Sequence, residues 1–139
     1  MKNPVDDELS ATRFSPDDHM ATGDELNSAM NTYRLSHSLP ILSFDSLLCQ
    51  IASTRASQLK DSGKLSHDGF SDQAHDQNSF NTMAEVIFGG NQPASGIHIV
   101  EWGWDKSLTG HHEVISDPKW NEGCGATADF FAVFVFGKR

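Results

Sequence analysis

Three residues far apart in the chain, His67, Glu85 and His111, are of the types that build a His/His/carboxylate pocket. Neutral imidazoles bind zinc well, and a site of two histidines and one carboxylate leaves a position open for water. A second role is open to Glu85, as the acceptor that orients a histidine ring. His111 lies in Ser107-Leu108-Thr109-Gly110-His111-His112, where Gly110 allows a tight bend that turns the imidazole toward a cleft. Trp104 and Trp120 flank this stretch and are large enough to anchor it to a core. His67 belongs to Ser66-His67-Asp68-Gly69-Phe70, and Glu85 to Ala84-Glu85-Val86.

Two kinds of function use such residues. A metal-activated water with Glu85 as base would make a metal-dependent hydrolase. Ser66 or Ser107 beside a histidine is a nucleophile arrangement in outline, but neither sits in a Gly-x-Ser-x-Gly elbow. A binding module, which holds a metal, lipid, peptide or protein ligand in the cleft, needs no complete catalytic set. The binding reading is preferred, because metal-site residues are present and such a set is not. The remaining titratable residues read more plainly. His112 and Glu113 are expected in solvent, since neighbours on a turn point apart. His98, Glu101 and Asp105 share helical spacing and read as a solvated helix face. His19, His37 and His75 have no partner pattern.

The elements that must position these residues fit one domain. A chain of 139 residues supports a single core. Its formal net charge of −9 argues against nucleic acid or an anionic membrane as a partner. No apolar run is long enough to span a bilayer, and no signal peptide is visible, as expected where one has been removed. Residues 1–21 are polar and acidic and read as a flexible or loosely packed arm, ahead of a domain over 22–139. Thr22 and Glu25 form a capping-box pattern for a first helix to about residue 36, with Leu26, Ala29, Met30 and Tyr33 on one face. Ser43 or Asp45 caps a second helix, where Leu47, Leu48, Ile51, Ala52, Ala56 and Leu59 follow helical spacing up to the Asp61-Ser62-Gly63 stop.

Later elements are shorter. A small helix is expected near 70–77 and an extended segment over 82–88. Pro93 and Ser95 introduce a third helix with Ile97, Val100 and Trp104 on its buried side. Residues 120–126 start the sheet, and the nearly continuous apolar run 128–136 reads as a strand covered on both faces. Helices first and strands last give an α+β fold, a three-layer α-β-α sandwich. Cys49 and Cys124 are neither a CxxC nor a spaced metal box, which leaves one disulfide or two buried thiols.

The ordered set of these pieces resembles the CAP superfamily, named for cysteine-rich secretory proteins, antigen 5 and pathogenesis-related proteins, and within it the compact bacterial SCP-like members. The carriers are Leu26-Asn27 through Arg34, His37-Ser38-Leu39-Pro40 with Leu42 and Asp45, and Leu48 through Ala52 with Ala56. Ser66 through Phe70, Ala84-Glu85, Trp104 with Ser107, Gly110 and His111, then Pro118, Gly123-Cys124-Gly125 and Phe136-Gly137 follow in family order. The resemblance implies an α-β-α sandwich with a small, mainly antiparallel central sheet and a cleft lined by His67, Glu85, Ser107 and His111. It implies a metal held by His67 and His111, with Glu85 a further candidate, and Zn²⁺ or another divalent cation as the only cofactor. It also implies a secreted or cell-envelope protein with no general catalytic activity; the chain is expected to be a monomer. Three positions depart from the pattern. Val86 replaces an expected Asn, Ser107 and His111 stand one residue further apart than usual, and the second cleft acid is Glu101, Asp105 or none. With the second helix packing on the strand that Cys124 opens, a secreted setting favours a Cys49–Cys124 disulfide.

Overall fold

The structure, a computed structural model, describes residues 19–74, 80–89, 91–107 and 110–139. The expectations for residues 1–18, for His75 and for helix beyond Ala74 lie outside the described residues. Helix α1 spans Gly23–Ser36. Its start is the expected capping box: Glu25 N donates to Thr22 Oγ1 at 3.1 Å, and Thr22 N donates to Glu25 Oε1 at 2.9 Å. Leu26, Ala29, Met30 and Tyr33 form its buried stripe. Helix α2 spans Ser46–Ser62 and is capped by Asp45, whose Oδ1 accepts from Leu47 N at 2.8 Å. Gly63, in the left-handed conformation at φ 69°, closes it. A single short turn, α3, covers Phe70–Ala74.

Three strands make one antiparallel sheet in the order β1-β3-β2, with β1 at Thr82–Gly89, β2 at Glu122–Ala128 and β3 at Phe131–Lys138. The apolar run 128–136 is therefore not one strand. Ala128 pairs with Phe131, so Asp129 and Phe130 are a two-residue hairpin loop, with Asp129 at φ 51°. Aspartate tolerates that region better than most residues, which is why the chain reverses inside an apolar run. The rest of the reading holds, because central β3 is buried on both faces.

Alternation along β3 divides the core. Ala132, Phe134 and Phe136 face α1, Trp104 and Ile115, while Val133 and Val135 face α2. The sandwich is thus α1 with residues 98–104 and 111–115 on one side, α2 and α3 on the other. Gly123 and Gly125 face the α1 side, where a Cβ on Gly125 would stand 2.8 Å from both Leu26 Cδ2 and Phe134 Cδ2. Helix α1 can lie close to the sheet only because those side chains are missing. Ala21 is 2 % exposed and donates its N–H to Ala94 O at 2.9 Å, so the last residue assigned to the arm is packed into the domain.

On the α2 face, Glu85, Val135 and Cys124 are directly opposite one another across the three strands. Helix α2 is tied to both ends of this row: Cys49 is disulfide-bonded to Cys124 on β2, and Arg55 is ion-paired with Glu85 on β1. The expected disulfide is formed, with the Cα atoms 4.9 Å apart.

The third helix differs from expectation in its winding. His98–Trp104 is π-helical, and Asp105 N donates to Val100 O five residues back. Ser95 Oγ accepts from His98 N at 3.1 Å, as a start signal should. The wider turn brings Ile99 into the core with Val100 and Trp104, and leaves Ile97 54 % exposed. A final short helix, α4, covers His111–Ile115.

Candidate functional site

His67 lies in the loop between α2 and α3, and Glu85 in the middle of β1. The fold brings them together: His67 Nδ1 is 2.8 Å from Glu85 Oε1. A carboxylate can only accept there, so Nδ1 carries the hydrogen and Nε2 is left as the basic atom. The Glu85 side chain is 1 % exposed while that of His67 is 59 % exposed, so a buried acid aims an imidazole that reaches solvent.

Glu85 is not otherwise free. Arg55 Nε donates to its Oε2 at 2.7 Å and Arg55 Nη2 to its Oε1 at 3.2 Å, a bidentate pair inside the protein. Both oxygens are therefore engaged, and of the two roles open to Glu85 from the sequence this geometry matches the orienting acceptor. Arg55 was not singled out in the sequence, although a signal exists. It stands four residues from both Ile51 and Leu59, on the apolar face of α2, and is fully buried. A charge at such a position needs a buried partner.

His111 is the first residue of α4, and Gly110 before it has φ 103°, which only glycine adopts without strain. Ser107 Oγ lies 3.0 Å from His111 Nδ1, so this ring too is held from behind by an oxygen. Burial, and then the charge of nearby His67, push the His111 imidazole below the ordinary histidine value, which keeps it neutral near pH 7. Trp104 and Trp120 anchor the stretch as expected. Trp104 Nε1 donates to Ile87 O at 3.0 Å, and Trp120 Nε1 donates to Val114 O at 2.9 Å.

Asp105, one of the two candidates for a second acid, has other partners. Asp105 Oδ1 accepts from Tyr33 Oη at 2.7 Å and lies 2.8 Å from His112 Nδ1. So His112, expected to be merely solvated, is paired with Asp105. Burial tends to raise the Asp105 carboxyl, but the hydrogen bonds from Tyr33 and His112 outweigh it and hold the group below the usual carboxylate range. Burial, then Asp105, push the Tyr33 hydroxyl strongly upward. His19, given no role from sequence, contacts the Glu25 carboxylate at 3.2 Å. Arg34, fully buried, donates to the carbonyls of Pro40, Ile115, Asp117 and Trp120, and so fixes the chain that follows α4.

As a metal site the donor set is small. Among the described residues no group of three or more His, Cys, Asp or Glu side chains is placed to hold an ion. Both oxygens of Glu85 are engaged, Oε1 by His67 Nδ1 and Arg55 Nη2 and Oε2 by Arg55 Nε. A cavity of about 430 Å³ lies elsewhere, between α1 and residues 95–97, lined by His19, Glu25, Ala29, Thr32 and Ile97 among others. Neither His67 nor His111 lines it.

An α-β-α sandwich with two histidines backed by an acid and a hydroxyl defines the class of fold. Residues 28–128 match the CAP family, the cysteine-rich secretory protein family. The chain belongs to that family. No curated protein matches this sequence. Among solved structures, it is similar to an extracellular protein containing a SCP domain from Bacillus anthracis, at 22% identity and a TM-score of 0.74 over 84% of this chain and 40% of that one. A cysteine-rich secretory protein from Staphylococcus aureus is similar at 20% identity and a TM-score of 0.69, over 84% of this chain and 38% of that one. An outer surface protein from Borrelia burgdorferi is similar at 25% identity and a TM-score of 0.68, over 82% of this chain and 90% of that one. The chain thus spans about two fifths of the first two proteins. Among the described residues no helix is long and apolar enough to cross a membrane.

Proposed function

We propose that this protein is a secreted or envelope-associated binding module whose His67–His111 cleft takes a divalent cation, zinc foremost, and with it a small lipid, peptide or protein ligand. The observation that carries this reading is the shared arrangement of the two rings. Each has Nδ1 engaged by an oxygen, Glu85 for His67 and Ser107 for His111: the carboxylate puts the hydrogen of His67 on Nδ1, the hydroxyl can accept the same from His111, and in that tautomer each Nε2 offers its lone pair to a metal. The depressed His111 value adds to it, because a neutral imidazole needs no proton removed before it binds metal. A bound cation would supply Lewis acidity, and with only two protein ligands it keeps positions for water or a ligand group. The hydrolase reading has less support, since Glu85, its proposed base, has both oxygens occupied by Arg55.

An oxidising compartment is supported by the disulfide, a bond that persists outside the cytosol, and by the extracellular and surface relatives. Calorimetric zinc titration at pH 7.5 tests the cleft. Wild type should bind one equivalent, and His67→Ala and His111→Ala should each lose most of the affinity. Equal binding by wild type and both variants would put the metal elsewhere and end the reading.

A further inference from the structure

His67 is held in place although its side chain is 59 % exposed. Packing cannot fix a ring that open to solvent, so its orientation must come through the buried groups behind it. Those groups converge on Arg55. Its guanidinium has five N–H hydrogens, and the fold surrounds it with five acceptors. Nε reaches Glu85 Oε2 at 2.7 Å, and Nη2 reaches Glu85 Oε1 at 3.2 Å and Ser66 O at 2.6 Å. Nη1 reaches Gln58 Oε1 at 2.7 Å and Asp68 O at 2.8 Å. Two of these acceptors are the carbonyls on either side of His67, and two more are the carboxylate oxygens that hold its ring.

The loop is shaped to admit this group. Gly69 has φ 98°, and a Cβ there would stand 2.5 Å from Gln58 Oε1 and 3.2 Å from Arg55 Nη1. The glycine is thus required both by the backbone and by the closeness of the guanidinium. A lysine has three donors on one nitrogen and cannot span acceptors on α2, β1 and the loop at once.

We propose that Arg55 is the positioning residue of the histidine site. It fixes the peptide of His67 directly and the ring through Glu85, and by pairing with both oxygens of that buried carboxylate it keeps Glu85 an orienting acceptor instead of a metal ligand. The consequence for zinc rests on the metal-binding reading above, but the control of the His67 ring does not.

The test is therefore made first without metal. Ring nitrogen NMR at pH 7.5 should show wild-type His67 as one tautomer, with hydrogen on Nδ1. Arg55→Lys should shift His67 toward the averaged signals of a free imidazole while His37 and His98 keep theirs, and should weaken zinc binding about ten- to a hundredfold. Unchanged His67 ring signals in Arg55→Lys would overturn the proposal. Should that variant not fold, wild type still decides: separate, slowly exchanging signals for the Arg55 Nη hydrogens support the clamp, and one averaged signal refutes it. A wild type that binds no zinc but passes both NMR tests removes the metal reading and leaves Arg55 as the clamp of His67.

Discussion

Removing the Cys49–Cys124 bond isolates the contribution of one of the two tethers that hold α2 on the sheet. The cysteines are 75 residues apart in sequence. For a loop of that size the chain-entropy model gives about 4.5 kcal/mol of stabilisation at 25 °C, through a denatured state that the link keeps compact. A domain of this size has roughly 5–15 kcal/mol in all, so the link supplies a large share. Cys124 is 2 % exposed, so truncating its side chain also loosens the packing around it and adds to the cost, whereas residual structure in the unlinked denatured chain subtracts from it. The expected effect of Cys49→Ala/Cys124→Ala is thus a loss of about 2–5 kcal/mol with the fold retained, because Arg55–Glu85 and the α2 core remain. Trp104 and Trp120, both buried, report urea unfolding by fluorescence. With a slope near ~2 kcal/mol/M the midpoint should fall by about 1–2.5 M, and the slope itself should rise because the unlinked denatured chain exposes more surface. A double variant with the wild-type midpoint and slope would refute the argument, as would two alkylatable thiols in the oxidised, denatured wild type.

Gly125→Ala should destabilise by about 1–3 kcal/mol, since the new Cβ would meet Leu26 and Phe134 at 2.8 Å and push α1 off the sheet. Thermal melting measures it, and an unchanged Tm would mean that α1 is not seated against β2 as described. Asp105 makes a prediction in pH. Its carboxyl lies below the ordinary value in the folded state, so its contribution is complete above about pH 4, the unfolded value, and is lost as pH falls through the folded one. Asp105→Asn should therefore cost most stability near neutrality and progressively less below about pH 4. A cost that stays constant from pH 7 to pH 2 would show that the Tyr33 and His112 hydrogen bonds do not act through the ionised carboxylate.

What is local in this protein was legible in its residues. Thr22 with Glu25, Asp45 and Gly63 mark helix ends because caps act within one turn, and the stripes Leu26-Met30-Tyr33 and Leu48-Ile51-Ala52 expose a period that one face must bury. A nearly continuous apolar run, which must be covered on both faces, carried the α-β-α layering, and the second helix packing on the strand that Cys124 opens carried the disulfide expectation. The order of the family pieces carried the nearness of His67 and Glu85, which are 18 residues apart and joined by one hydrogen bond. Local signals failed where two patterns coincide. The run 128–136 is apolar almost throughout, and only strand pairing reveals that Asp129 turns it. Likewise, one wider turn in 98–104 moved Ile99 inward and Ile97 outward. The partners of the charged groups, by contrast, came only with the folded arrangement. Arg55 meets Glu85 across 30 residues, and Tyr33 meets Asp105 across 72. Such pairs have no spacing rule, because whether a carboxylate turns to a metal, a histidine or a guanidinium depends on which surfaces the fold brings within about 3 Å.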